Sequence, residues 1–274
     1  MADEIGCKCN LWHSVSIDKA RIMAQIQLRF YEELNDFLAA DLRKVEFTHE
    51  IHRRASVKDV IESFAVPHPE IEIILVNGKS VDFSYIVQDG DHISVYPTFE
   101  SLDVTSLLRL RPKPLRTSRF IIDANLGALA KYLRLLGMDC LYQNNYSDKE
   151  VAEISSTENR IVLTRDRTLL QRKLITHGYC VRADKPLKQT KEVLKRFDLF
   201  RSLAPFTRCT HCNGILETVD KEKIVKRLEP LTRKYYDNFL ICPDCNRIYW
   251  EGSHFRRASL LVNELAKPQT TNTI

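Results

Sequence analysis

The stretch Arg119–Gln143, RFIIDANLGALAKYLRLLGMDCLYQ, decides the fold. Phe120, Ile121 and Ile122 form a short apolar run suited to a strand buried on both faces, and Asp123 falls at its end. Leu126, Leu129, Ala130, Leu133 and Leu136 follow at helical spacing, and Gly137 stands where a C-terminal cap belongs. Cys140, Leu141 and Tyr142 read as a second strand. The alternation then repeats. Ser147 and Glu150 form an S-x-x-E capping box, so Asp148 lies in the first turn of a helix that continues through Val151 and Ile154. Ile161, Val162 and Leu163 make the third strand, followed at once by Thr164-Arg165-Asp166. Leu169, Leu170 and Leu174 predict a helix ended by His177-Gly178. Tyr179, Cys180 and Val181 are the fourth strand, with Asp184 just beyond. Strands alternating with helices imply a parallel sheet with right-handed crossovers.

Parallel strands put their C-terminal ends on one edge, where ligands bind in open α/β sheets. Asp123, Asp166 and Asp184 each lie within a few residues of a strand end, and Asp148 opens the helix reached from the second strand. Carboxylates converging there repel one another unless a cation neutralises them. Oxygen-only ligation suits Mg²⁺ or Mn²⁺. Such a site activates water and stabilises charge developing on a phosphate, as phosphodiester hydrolysis requires. Each residue also has a plainer role. Asp123 fits a helix N-cap, Asp148 complements a helix dipole, Asp166 ends a strand in a turn, and Asp184 sits in an ordinary A-D-K-P loop. Glu150 is the substitute ligand, although capping competes for it. Thr164 and Asn125 are placed to bond the carboxylates.

Beyond this stretch, Cys209-Thr-His-Cys212 and Cys242-Pro-Asp-Cys245 each present two thiols across a tight turn. Two such knuckles predict a closed four-cysteine zinc site, structural because it leaves no open position. His211 lies inside the first knuckle and is not needed as a ligand. The spacing between the pairs exceeds the usual one and must hold an insertion. VDKEKIVKRL reads as a helix in it, KYYDNFLI as a strand entering the second pair, and RIYW as a strand leaving it. A redox C-x-x-C or plain thiols are the alternative reading.

The series IIDANLGALAKYLRLLGMD, SDKEVAEI and RIVLTRDRTLL resembles the PIN-like nuclease fold, and more closely the Mut-seven C-terminal RNase family. The resemblance covers about residues 119–260. It implies a metal-dependent ribonuclease acting on single strands, with Asp123, Asp148 and Asp166 at the carboxylate positions of the superfamily. It also implies a zinc ribbon after the nuclease core, and NRIYWEGSHFRR is similar to the family's closing segment. Tyr249 and Trp250 are then candidates to stack on unpaired bases, with Arg165, His254, Arg256 and Arg257 on phosphates. Burial of Tyr249 and Trp250 against the nuclease core is the equal alternative.

The N-terminal hundred residues read differently. IMAQIQLRF alternates as a strand, EELNDFL is a turn or short helix, and RKVEFTH is a second extended run. SVKDVIESF is helical, with Ser56 as cap and Val57, Val60, Ile61 and Phe64 on one face. EIILV and HISVYP are strands beside an Asn77-Gly78 turn and a Gly90 turn. This order, with VNGKSVDFSYIVQDGDHISVYP, resembles the ubiquitin-like β-grasp proteins of the ThiS/MoaD sulfur-carrier type. Those carriers end in a free Gly-Gly, whereas here the chain runs on through YPTFESLDV. Sulfur carriage is therefore not expected, and a docking or scaffold role to a protein partner is. The expected organisation is a flexible tail over 1–20, the β-grasp domain over 21–100, a basic Pro-containing linker over 101–118, a PIN-like core over 119–204, a zinc ribbon over 205–266 and a loose tail over 267–274. Cys7, Cys9 and His13 in the first tail are a weak metal signal.

Charge follows the same division. Residues 1–100 hold 10 Lys/Arg against 17 Asp/Glu, and residues 101–274 hold 31 against 19. A basic C-terminal part suits a polyanion such as RNA. No apolar run approaches the roughly 20 residues of a membrane span, and MADEIGCKCN is not a secretory signal. A cytoplasmic setting is expected, where disulfides are disfavoured. The leading expectation is a metal-dependent ribonuclease. The alternative is a non-catalytic adaptor that binds RNA through the ribbon and basic surface. A phosphoacceptor domain with Asp123 as nucleophile lacks a clear basic residue in GYCVRADK.

Overall fold

The computed structural model of the chain describes residues 24–97, 110 and 118–267; the tail over 1–20 with Cys7, Cys9 and His13, nearly all of the linker and residues 268–274 lie outside them. β1 (Ala24–Phe30) alternates strictly, with Ala24, Ile26, Leu28 and Phe30 turned inward. It pairs antiparallel with β2 (Phe47–Ile51). α1 (Val57–Ser63) begins at a full capping box: the Ser56 hydroxyl accepts from the Asp59 N–H while the Asp59 carboxylate accepts from the Ser56 N–H. β3 (Ile71–Val76) turns through Asn77-Gly78, both at positive φ, into β4 (Lys79–Val81), a short strand that the sequence pattern does not announce. β5 (His92–Pro97) completes a sheet of order β2-β1-β5-β3-β4, in which β1 and β5 run parallel. One buried carboxylate ties its turns together. Asp91 accepts from the Asn77 side chain at 2.9 Å, the Tyr85 hydroxyl at 3.0 Å and the Gln88 N–H at 2.8 Å. The VNG and DGD turns are thus two halves of one polar lock.

The second unit alternates as its sequence requires. β6 (Arg119–Ile122), α2 (Gly127–Leu135), β7 (Asp139–Leu141), α3 (Asp148–Glu158), β8 (Ile161–Thr164), α4 (Arg167–Leu170), β9 (Gly178–Cys180) and α5 (Pro186–Arg196) follow in turn. The strands form a four-stranded, all-parallel sheet of order β7-β6-β8-β9. α4 stops after one turn, so Leu174 lies outside it and is half exposed.

The two faces of this sheet have different neighbours. Phe120, Ile122 and Leu163 pack with Leu129 and Leu133 of α2 and Val193 and Leu194 of α5. Ile121 and Val162, on the other face, join Val151 of α3 in a cluster continuous with the β-grasp core around Ile71 and Ile74. The β-grasp unit therefore serves as part of the wall of the parallel sheet. Polar contacts seal the seam. His68 Nε2 meets the Ile175 carbonyl at 2.8 Å, and the wholly buried Glu70 accepts from the Cys180 N–H of edge strand β9 at 2.5 Å. Arg182 lies 3.6 Å from the other Glu70 oxygen and 3.3 Å from Asp36.

Burial pushes the Glu70 carboxyl above its ordinary value, against the Arg182 charge and the Cys180 N–H. Glu70→Ala strands the Cys180 N–H and removes a partner from Arg182, so we expect a loss of about 3 kcal/mol, measured by urea unfolding. The pH dependence has a definite sign. Between the ordinary carboxylate value and the higher folded one, the folded state holds the extra proton, so wild-type stability falls as pH rises through that window. Glu70→Gln removes that fall. Equal pH slopes in the two proteins would show that Glu70 does not titrate on folding.

The last unit is a three-stranded antiparallel sheet followed by a helix. β10 (Glu217–Val219) leads into α6 (Lys221–Ile224) and α7 (Pro230–Tyr235), then β11 (Phe239–Ile241), β12 (Ile248–Trp250) and α8 (Ser253–Leu265). The helix expected over VDKEKIVKRL is broken: Val219 ends a strand, α6 has four residues, and Val225–Arg227 is a 3₁₀ turn. Ile224 and Leu228 still share a cluster with Phe239, as their i, i+4 spacing would also allow on one continuous helix. The strand expected over KYYDNFLI is confined to Phe239–Ile241, because Lys234 and Tyr235 close α7. α8 returns to the second unit, where Val262 and Leu265 are buried in the α2–α5 cluster. No helix among the described residues is long and apolar enough to cross a membrane.

Candidate active site and metal centre

Asp123 directly follows β6. Its N–H continues the ladder to the Leu163 carbonyl at 3.0 Å, and the residue is only 8% exposed. Thr164, the buried last residue of β8, donates its hydroxyl to Asp123 Oδ2 at 2.8 Å. The same hydroxyl accepts from the Asp166 N–H at 2.9 Å. One side chain thus ties the Asp123 carboxylate to the backbone of Asp166 across neighbouring strands. Asp166 caps α4, accepting from the Thr168 N–H and hydroxyl, each at 2.7 Å. Partial burial raises its carboxyl, but the Thr168 bonds, the Leu169 N–H and the Arg172 charge outweigh that and hold it below its ordinary value.

The other two carboxylates are exposed and face arginines. Asp148, the first residue of α3, lies 3.3 Å from Arg172 Nη2. Asp184 lies 2.7 Å from Arg165 Nη2. Glu150 is engaged as a cap, accepting from the Ser147 N–H at 2.8 Å and hydroxyl at 2.7 Å, which hold its carboxyl below its ordinary value. Asn125 is exposed in the turn after Asp123. Asp123, by contrast, carries no ion pair to Lys or Arg among the described residues. The all-oxygen donor set suits a hard dication.

Among the described residues, Cys209, Cys212, Cys242 and Cys245 are the group of metal-ligating side chains whose donor atoms all lie within 4.8 Å of one another. The Cys209–Cys245 and Cys212–Cys242 sulfurs are 3.6 and 3.3 Å apart. A tetrahedral shell with zinc–sulfur bonds of about 2.3 Å has edges of roughly 3.8 Å, so the four thiols fit zinc with little adjustment. Burial raises the Cys209 thiol, but the Tyr249 hydroxyl at 3.1 Å and the Cys212 and His211 N–H groups bring it down to about 6. His211 is exposed and outside the thiol group.

Residues 118–262, more than half of the chain, match the Mut7-C RNAse domain. The chain belongs to the Mut7-C RNAse family. Residues 23–103 match the Mut7-C ubiquitin domain. The human protein named exonuclease mut-7 homolog is 37% identical over 106 residues, which cover 36% of this chain and 12% of that relative. The chain thus corresponds to a small part of the relative's length. No solved structure matches it.

In this Mut7-C chain the first knuckle is also bolted to the nuclease sheet. Arg134 of α2 donates to the Cys140 carbonyl at 2.8 Å and the His211 carbonyl at 2.6 Å. Asn213 accepts from the Cys140 N–H and donates to Asp139, each at 2.9 Å. A cleft of about 1460 Å³ opens between the ribbon, α2 and α8. Tyr249, Trp250, His254 and Arg257 line it, as do Tyr132 and Tyr235, whereas Arg256 is exposed and not among the lining residues. The Tyr249 hydroxyl is committed to Cys209, which leaves Trp250, 37% exposed, as the freer ring. Sequence reading missed Arg172, Arg134 and Asn213. Thr168 had a signal, since D-x-T after a strand is a capping pattern. Arg172 had none, because its partner Asp148 is remote in the chain.

Proposed function

We propose that this Mut7-C protein is a metal-dependent ribonuclease that hydrolyses phosphodiester bonds of single-stranded RNA at the edge formed by Asp123, Asp148 and Asp166, with Asp184 as the outermost carboxylate. The observation that carries the reading is Asp123: a buried carboxylate at a strand end, fixed by one hydroxyl and given no Lys or Arg counter-ion among the described residues. Burying such a charge is costly unless a cation completes it. Asp123 and Asp166 would hold Mg²⁺ or Mn²⁺, joined by Asp148 once it leaves Arg172. The chemistry the bound dication supplies is acidification of a water and neutralisation of phosphate charge. Thr164 keeps the Asp123 carboxylate oriented, and the α4 cap keeps Asp166 ionised. The ribbon cleft, lined in part by Trp250, His254 and Arg257, suits unpaired bases and their phosphates. Zinc at the four cysteines is structural, and a reducing, cytoplasmic setting keeps the thiols free for it. The adaptor reading leaves the buried, counter-ion-free Asp123 without a purpose.

The test is end-labelled single-stranded RNA incubated with Mg²⁺ or Mn²⁺, beside arms holding EDTA, duplex RNA or single-stranded DNA. We expect cleavage of the single-stranded RNA that EDTA stops. Tight RNA binding with no turnover in either metal would sink the reading and favour the adaptor.

A further inference from the structure

We propose that Arg172 and Arg165 are phosphate-binding residues held in reserve by the carboxylates of the active edge. Each guanidinium neutralises one acid, Arg172 on Asp148 at 3.3 Å and Arg165 on Asp184 at 2.7 Å. Were Asp148 and Asp184 to turn to a bound dication, Arg172 and Arg165 would be free to take the RNA backbone. This rests on the ribonuclease reading above and adds a partner exchange to it.

Both arginines come from the segment that carries Asp166. Arg165 stands between Thr164 and Asp166, and Arg172 lies two residues beyond α4. The third arginine of the segment has a different fate. Arg167 packs over the Phe37 ring at 4.9 Å and donates to the Phe37 carbonyl at 3.4 Å, at the seam with the β-grasp unit. Arg165 and Arg172 are instead about half exposed, as is Asp148, and Asp184 is more open still. Solvent-exposed pairs of this kind are weak, screened and readily exchanged. Each member has a better partner in the loaded site. A carboxylate oxygen is a strong ligand for a hard dication, and a guanidinium matches two phosphate oxygens in a planar fork. Charge balance points the same way. Asp123, Asp148, Asp166 and Asp184 carry more negative charge than one dication would neutralise, and an incoming phosphodiester needs cations that are no longer tied to those acids. The exchange makes metal and RNA binding mutually supportive, because each takes one half of the same two pairs.

The experiment uses the full chain and two binding readouts independent of turnover. Mn²⁺ binding is followed by isothermal titration without RNA. Binding of a phosphorothioate-linked single-stranded RNA is followed by fluorescence anisotropy, in Mn²⁺ and in EDTA. Wild type is expected to bind the RNA more tightly in Mn²⁺. Arg172→Ala should lose about tenfold in RNA affinity in Mn²⁺ and almost nothing in EDTA, where the wild-type arginine is still engaged. Its Mn²⁺ affinity should be unchanged or higher, because a competitor for Asp148 is gone. Arg165→Ala should behave alike, and Arg172→Lys should recover part of the loss. Lys149→Ala, next to Asp148 but directed to Glu153 at 3.7 Å, should match wild type. An Arg172→Ala loss of equal size in Mn²⁺ and EDTA overturns the exchange, since it marks a plain basic patch. Weaker Mn²⁺ binding also overturns it, since Arg172 would then support Asp148. Unaltered Mn²⁺ binding by Asp123→Asn, or none by wild type, overturns the carboxylate site itself and is read separately.

Discussion

Asp123→Asn is expected to abolish metal-dependent RNA cleavage and to leave the protein folded and slightly more stable. The Thr164 hydroxyl donates to one oxygen of Asp123, and an asparagine carbonyl can accept the same bond. Geometry is therefore retained while the charge is lost. The charge is what the proposed chemistry needs, and removing it should cost about 10³-fold in rate, equivalent to ~4 kcal/mol of transition-state stabilisation. Stability should move the other way. A carboxylate that is 8% exposed and has no basic partner among the described residues destabilises the metal-free fold. Neutralising it should raise metal-free stability by about 1 kcal/mol, in the manner of other function–stability conflicts. Thermal unfolding in EDTA checks this half, and rates on labelled RNA in Mn²⁺ check the other. The pairing of outcomes is the point. Lost activity with lowered stability would mean that Asp123 is a structural residue of the β6–β8 junction. Asp166 should divide differently: Asp166→Asn keeps an acceptor for the α4 cap, whereas Asp166→Ala adds about 1 kcal/mol of lost capping to the lost activity.

These expectations rest on features that differ in how visibly the chain encodes them. The carboxylates of the edge were legible because a parallel α/β pattern fixes where strand ends go. Once Phe120–Ile122 and Ile161–Leu163 are strands, Asp123 and Asp166 must share an edge, whatever the side chains do. The β-grasp order was legible for a similar reason, since Asn77-Gly78 and Gly90 permit turns that few other residues allow. What periodicity cannot show is which elements meet. Glu70 reads as one more surface acid before a strand, yet it is wholly buried against Cys180, in a different unit. The same holds for Ile121 and Val162, apolar residues whose partners turn out to be the β-grasp core. A docking role for the β-grasp unit was the natural expectation from its missing Gly-Gly, but part of its surface is already spent inside the molecule. α8 is an intermediate case. Phe255, Ala258, Leu261, Val262 and Leu265 carry a helical period, but the basic run His254–Arg257 hides its start. The end of α6 at Ile224 was hidden for another reason: Ile224 and Leu228 keep the i, i+4 spacing of a continuous helix although a 3₁₀ turn lies between them.

The second large effect concerns zinc. Stripping the metal, or replacing Cys242 by Ser, is expected to unfold the ribbon and to loosen one edge of the nuclease sheet. The ribbon has little apolar core of its own: Ile224, Leu228 and Phe239 are its buried cluster. A unit that small depends on its metal, and in isolated zinc-finger peptides structural zinc supplies ~10–16 kcal/mol of apparent folding free energy. The loss should not stop at the knuckles. Asn213, within the first knuckle turn, holds the Cys140 N–H of edge strand β7, and Arg134 joins the His211 carbonyl to the Cys140 carbonyl. β7 pairs with β6, which Asp123 directly follows. Hydrogen exchange after chelation should therefore show three tiers. Amides of β10–β12 exchange at nearly unfolded rates, those of β7 gain exchange by an amount that tracks the lost Asn213 bond, and those of β1–β5 keep their protection. Asn213→Ala in zinc-loaded protein isolates the middle tier, with about 1–3 kcal/mol lost at β7 because the buried Cys140 N–H is left without an acceptor. Elemental analysis should return one zinc per chain in the untreated protein. Full ribbon protection after zinc removal would show that packing of α8 on the nuclease core, through Val262 and Leu265, holds this unit without its metal. The thiols would then be better read as a redox or regulatory site.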